Sequence, residues 1–163
     1  MQKRYLFSFL VLVAVLSGAL VQADESRPET GTFTKDTLRN GHGELTIIND
    51  NNKMDALAVL TASNKNALIA VYIRSNESFK IVGIPDGTYE MYFKLGNKWD
   101  NIAKFKEKGG QYRLDRPMDF KTTWNSRGME YSTWTLAIEG AVPNSNVASG
   151  KVSVPEEEFP DLS

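Results

Sequence analysis

The sequence predicts an all-β protein built as a single antiparallel β-sandwich of about seven or eight strands. Three observations lead there. Apolar residues between positions 43 and 139 recur with period two, the residues that carry them are β-branched or aromatic, and clusters of Asn, Gly and Asp interrupt them at short intervals. Between residues 42 and 150 no segment carries an apolar stripe at helical spacing.

The chain opens "MQKRYLFSFLVLVAVLSGALVQADESRP". Lys3 and Arg4 precede an apolar run from Tyr5 to about Val21, and Val21 and Ala23 are small enough for the subsites before a cleavage point. This is the layout of a signal peptide over residues 1–23, with cleavage expected between Ala23 and Asp24. The alternative is an uncleaved anchor, because the run sits at the lower edge of a bilayer-spanning helix; Ser17 and Gly18, which break it, favour cleavage. Either outcome exports the remainder to the periplasm, the cell surface or the medium, and the membrane is met only through this segment. Residues 24–41, polar and carrying Pro28, Gly31 and Gly41, read as a flexible tether in which "GTFTKDTL" is the one ordered candidate.

The sandwich is assigned to residues 42–140. Its strands are "GELTII" (43–48), "ALAVLTA" (56–62), "LIAVYIR" (68–74), "SFKIVG" (78–83), "TYEMYFKL" (88–95), "IAKF" (102–105), "MDFKT" (118–122) and "EYSTWTLAIE" (130–139). The intervening "NDNNKMD", "SNKN", "SNE", "PDG", "GNKWDN", "KEKGGQ" and "WNSRG" read as breaks. The run from Met54 to Ala62 also suits a helix by propensity. Alternation places Tyr89, Met91, Phe93 and Leu95 in the core with Tyr92 on the outer face, and groups Trp134, Leu136 and Ile138 on one side of the last strand. In the tail, residues 141–163, Ser153 stands three before Glu156 in a capping-box pattern and Pro160 ends a short helical turn, with Phe159 as its docking point.

At "GIPDGTYEMYF" the turn chemistry is explicit. Pro85 fixes φ at the first corner, Asp86 can bond its own backbone, and Gly87 supplies a positive φ. The longer run "SFKIVGIPDGTYEMYF" resembles the apolar-G-[LI]-P-x-G-x-Y hairpin of prealbumin-like sandwich modules, as in carboxypeptidase regulatory-like domains and the B-type repeats of bacterial adhesins. The resemblance falls on Gly83, Ile84, Pro85, Gly87 and Tyr89 and implies that the tyrosine packs inward. The order of motifs from "GELTIIN" to "GNKWD" also resembles a group of uncharacterised exported bacterial β-domains, which lends no activity. An immunoglobulin-like or fibronectin-like sandwich is the runner-up; there Tyr89 would serve as the corner tyrosine, and Met91 stands where the second cysteine would be.

The chemistry available is narrow. The chain has no cysteine, so neither a disulfide nor a thiol nucleophile exists, and burial alone must hold about 140 mature residues together. With 19 basic and 20 acidic residues, loss of Lys3 and Arg4 leaves a net charge near −3, which gives nucleic acid no footprint. His42 is the only histidine, and no serine sits in a nucleophile elbow. A single His without Cys offers no transition-metal cluster. "NDNNKMD" supplies Asn49, Asp50, Asn51, Asn52 and Asp55 as oxygen ligands for calcium, but it lacks the EF-hand glycine and glutamate, and an Asn-rich hairpin connection accounts for it equally. Asp86, Asp100, Asp115 and Asp119 lie in or near turns, where Asp is favoured for backbone reasons alone.

No enzymatic activity and no cofactor are therefore expected. The aromatics remain. Trp99 and Asp100 in "GNKWDN", Trp124 and Tyr131 in "WNSRGMEY", and the outward Tyr92 form the candidate binding surface, either stacking on sugars or anchoring a protein, or else closing the ends of the core. The expected function is an exported, non-catalytic module that binds an envelope protein or glycan. A small-molecule or lipid carrier using the inter-sheet space and an enzyme of unrecognised class are the alternatives.

Overall fold

A computed structural model describes residues 27–37, 39–51, 53–102, 104–139 and 150–162. The signal peptide assigned to residues 1–23 lies outside the described residues. Among them no helix is long and apolar enough to cross a membrane.

The described chain is all-β, in several sheets. The larger sheet runs in the order β1 (Thr32–Asp36), β4 (Ala67–Ile73), β3 (Asp55–Thr61), β6 (Gly87–Asp100), β7 (Lys104–Leu114), β12 (Lys151–Ser153), with β8 (Met118–Phe120) beside the first residues of β6. A smaller sheet has the order β11 (Thr133–Ala137), β2 (Gly43–Ile48), β5 (Ser78–Ile84). β9 (Thr122–Asn125) and β10 (Gly128–Tyr131) form a ribbon of their own. The pairs are antiparallel except one: β11 runs parallel to β2, with Trp134 opposite Leu45. β1 lies inside the stretch read as a tether, because Phe33 packs against the core and pairs with Val71.

Side-chain period two explains the layers. Leu45 and Ile47 from the smaller sheet meet Ala58, Leu60, Val71, Ile73, Met91 and Phe93 from the larger one, so the inner core carries the residues that alternation assigned to it. β3 and β4 are buried on both faces, which is why "ALAVLT" and "LIAVYI" are continuous apolar runs rather than alternating ones. The outer face of β3 and its neighbours carries a second cluster of Leu57, Val59, Tyr72, Tyr92 and Phe105, covered by Val154, Phe159 and Leu162 of the tail.

Several boundaries differ from the sequence reading. "GNKWDN" and "KEKGGQ" are not breaks: β6 and β7 stay paired from Tyr92 opposite Arg113 to Asp100 opposite Lys104, and a bulge at Gly109 absorbs the glycine pair. Polar residues in an exposed hairpin arm resemble a turn by composition alone. The strand read over 130–139 is split at Ser132, whose N–H donates to the Lys121 carbonyl at 3.1 Å while its Oγ accepts from the Lys121 N–H at 2.9 Å.

The turn region behaves differently from its sequence reading in one respect. The Asp86 carboxylate does not close its own turn; it accepts from the Thr122 N–H at 2.9 Å and the Thr122 hydroxyl at 2.7 Å. Gly83 is the extra residue of a bulge between β2 and β5, at φ 84°, and an added Cβ would lie 3.2 Å from the Arg39 carbonyl oxygen. Gly83→Ala is expected to cost about 1–2 kcal/mol, read as a lower urea midpoint at unchanged slope.

The tail docks through Phe159, whose ring meets Tyr92 edge-on with centroids 6.0 Å apart. A single 3-10 turn, Glu156–Glu158, follows Pro155, and no side chain caps it. The expected capping box is absent because Ser153 belongs to β12 and Glu156 is engaged elsewhere. Its carboxylate accepts from Lys94 Nζ at 2.7 Å, Lys108 Nζ at 3.0 Å and Gln111 Nε2 at 2.6 Å. Those bonds, Lys94 first, hold the Glu156 carboxyl down at about 2. A depressed carboxyl stabilises the docked tail fully above its unfolded value and loses that contribution as pH falls toward the folded one. Proteolytic nicking of residues 150–162 is therefore expected to accelerate between pH 4.5 and 2 and to stay flat from pH 5 to 8.

Candidate functional site

The five residues nominated from the sequence divide among three places. Tyr92 points outward as alternation requires, yet it is only 2% exposed because the tail covers it. Its hydroxyl donates to Glu90 Oε2 at 3.0 Å, and burial together with that bond pushes it up to about 12. Tyr92 is thus a core residue of the outer cluster and not an accessible surface.

Trp99 and Asp100 lie at the far end of the β6–β7 hairpin rather than in a loop. The indole is half-buried, edge-on to Tyr72 at 4.9 Å and Phe105 at 5.3 Å, with Nε1 donating to Asn101 Oδ1 at 3.1 Å. Asp100 accepts from the Ile102 N–H at 2.8 Å and shapes the turn.

Trp124 and Tyr131 come together on the β9–β10 ribbon. Trp124 is opposite Met129 and Tyr131 is opposite Thr122, so all four side chains share one ribbon face. Trp124 is 75% exposed and Tyr131 39%. His42 extends the row, its ring centroid 6.5 Å from that of Tyr131. The Tyr131 hydroxyl donates to Glu44 Oε1 at 3.4 Å, and Glu44 also receives Lys80 Nζ at 2.9 Å. The result is an aromatic row edged by hydrogen-bonding groups.

The local sequence makes this ribbon. Asn125 and Gly128 flank a two-residue loop, Asn125 Oδ1 accepts from the Arg127 N–H at 2.8 Å, and Gly128 takes a φ of 128°. An isolated two-stranded hairpin is marginal in water. Here its base is pinned by Asp86 to Thr122 and by Ser132 to Lys121, and Asn125 Nδ2 donates to Glu130 Oε1 at 2.7 Å. The third indole is different: Trp134 packs on the inner core and donates Nε1 to the Asp119 carbonyl at 3.1 Å, the core-closing role.

Trp124 and Trp99 belong to opposite ends of the long strand β6. Its first residues pair with β8, next to the ribbon, while Trp99 pairs with Phe105 twelve residues further on. The aromatic surface is therefore two surfaces. Met129 and His42 were missed as members of the ribbon row, although reading "WNSRGM" as a two-residue hairpin turn would have placed Met129 opposite Trp124.

Of the calcium-type loop, Asn52 lies outside the described residues, and Asn49, Asp50, Asn51 and Asp55 are engaged within the fold. Asn49 is buried and donates to the Met54 and Ile73 carbonyls at 3.0 and 3.2 Å. Asp50 accepts from the Glu139 N–H at 2.7 Å. Asp55, 4% exposed, accepts from Arg27 Nε at 2.8 Å, Arg27 Nη2 at 2.5 Å, the Ser75 N–H at 2.8 Å and the Tyr72 hydroxyl. Burial pushes the Asp55 carboxyl up, but the bonds from Arg27, Tyr72 and Ser75 outweigh it and hold it below the usual range. Among the described residues no group of three His, Cys, Asp or Glu is placed to hold a metal ion. Of the turn acids, Asp86 is held by Thr122 and Asp119 by the Thr88 hydroxyl at 2.6 Å, while Asp100 lies at the other end of β6.

Compared with protein-family models, with curated proteins and with solved structures, the chain matches none.

Proposed function

We propose that the protein is an exported, non-catalytic β-sandwich module of prealbumin-like type that binds an envelope glycan through the β9–β10 ribbon. One observation carries the reading. A Trp and a Tyr share the face of a ribbon that lies outside both sheets, with Trp124 three-quarters exposed and the ribbon base pinned by Asp86 and Ser132. An indole held in water on a rigid ribbon is a stacking platform, and Trp and Tyr are the side chains that give most contact for least lost entropy. Tyr131 is the diagonal neighbour of Trp124 on this face, and His42 lies 6.5 Å beyond Tyr131 between ring centroids, so the aromatic surface extends past a single sugar ring.

The strand order supports the prealbumin-like type over the immunoglobulin one. In an immunoglobulin sandwich the first strand neighbours the second. Taking β2 as the first sandwich strand, its neighbours here are β5 and β11, and β3 lies in the other sheet. Export rests on the N-terminal charge and hydropathy layout. The non-catalytic reading rests on the dispersal of the acids and on the lone His42, which packs beside Tyr131. The carrier alternative is disfavoured by the inner core, whose side chains interleave between the sheets.

A glycan array probed with wild type and Trp124→Ala tests the reading. Retention of a saccharide that falls tenfold or more in the variant, at unchanged thermal midpoint, is expected. Envelope protein captured in a Trp124-dependent way, with no glycan retained, would replace glycan by protein as the partner. Binding indifferent to Trp124 would overturn the ribbon as the site.

A further inference from the structure

Two clefts meet at Trp99, away from the ribbon. One, of about 430 Å³, lies between the N-terminal segment and the hairpin end, with Thr34, Asn101 and Lys104 among its walls. The other, of about 310 Å³, has Arg27, Lys53 and Lys98 around it and the buried Asp55 at its base. The indole forms the ridge between them, fixed by its edge-on contacts with Tyr72 and Phe105 and by its bond to Asn101.

Three features of this saddle are unexplained by folding alone. Lys98 and Lys104, on either side of the indole, hold φ values of 53° and 70°, in the left-handed region where glycine is the undemanding choice. Lys104 is the first residue of β7, opposite Asp100; its ammonium lies 6.0 Å from the Trp99 ring centroid and donates to the Asn101 carbonyl at 2.9 Å. Thr34 is the extra residue of a bulge in β1, and its buried hydroxyl oxygen has no hydrogen-bond partner. Four cations, Arg27, Lys53, Lys98 and Lys104, stand around the indole against three acids, Asp55, Asp100 and Glu107: Arg27 pairs with Asp55, Asp100 lies opposite Lys104, and the Lys98 contact with Glu107 at 2.5 Å is solvent-exposed and exchangeable.

We propose that the Trp99 saddle is a second binding site, for an acidic saccharide. A sugar ring stacks on the exposed part of the indole, its carboxylate meets the Lys104 ammonium with Lys98 and Lys53 across the ridge, and ring hydroxyls reach Asn101. A bare inorganic anion would leave the indole unused, and a neutral sugar would leave the ammonium groups unused.

Oligogalacturonate and a neutral galacto-oligosaccharide of the same length differ in the carboxylate, so titration calorimetry with both is the test. With Lys104 in place the protein is expected to bind oligogalacturonate at least tenfold more tightly than the neutral chain, with affinity falling as salt rises. Lys104→Gln and Lys104→Gly are each expected to weaken that binding about tenfold, while Lys104→Gly raises the thermal midpoint by relieving the left-handed residue. Equal affinity for the two saccharides, no affinity for either, or undiminished affinity in both Lys104 variants would overturn the proposal. Both titrations are made in the Trp124→Ala background, so saccharide held by the ribbon does not enter them and their failure would leave the ribbon reading standing.

Discussion

Phe93→Ala is expected to lower the unfolding free energy by about 3–5 kcal/mol. Phe93 is 1% exposed at the middle of β6, flanked by Ala58 on β3 and Tyr112 on β7. Its ring projects into the inner core, where the β3 neighbours Ala56 and Ala58 are small and held by two ladders, so the walls cannot close over the space left behind. A domain of this size has about 5–15 kcal/mol in total, so the variant gives up about a fifth of it or more. Urea titration followed by far-ultraviolet circular dichroism gives the midpoint shift; a loss under about 1 kcal/mol would mean that Phe93 does not fill the inter-sheet layer.

Asp55→Ala is the second large effect, expected at about 2–3 kcal/mol. Its carboxylate is where the N-terminal segment, β3, β4 and the turn after β4 converge through Arg27, Tyr72 and Ser75. Arg27 is half-exposed and can turn to water, so its share is modest. Tyr72 is fully buried, and truncation leaves its hydroxyl without its acceptor. Asp55→Asn keeps an oxygen for one donor and is expected to lose less. The depressed Asp55 carboxyl contributes stability above its unfolded value, lost as pH falls through the folded one. Acid thus loosens two docked segments, the Arg27 strap and the Glu156 tail, and the Asp55→Ala variant should show a shallower acid limb than wild type.

The sequence carried the inner core well because side-chain direction in a strand is fixed by period two. Tyr89, Met91, Phe93, Leu95, Leu136 and Ile138 all face where alternation placed them. It misjudged what depends on long-range partners. The outward Tyr92 reads as surface until a tail more than sixty residues away covers it. The β6–β7 arms read as loops because Asn, Lys and Gly in a solvated hairpin have the composition of a turn. Of the binding candidates, Trp124 and Tyr131 were legible as exposed aromatics, but their shared face needed the hairpin register. Thr34 and Lys104 carry no local signal: a bulge and a left-handed lysine are visible only once the neighbouring strands are in place.

The most direct measurement is the indole region of a 15N-correlated NMR spectrum during titration with neutral β-linked oligosaccharides, cello- and chito-hexaose. The chain has three tryptophans, one on the ribbon, one in the saddle and one in the core. Glycan binding by the ribbon predicts that the Trp124 Nε1–H signal moves in a saturable way while that of Trp134 stays fixed, and that Trp124→Ala abolishes the response. A Trp124 signal that never moves, or saturable binding that survives Trp124→Ala, would contradict it.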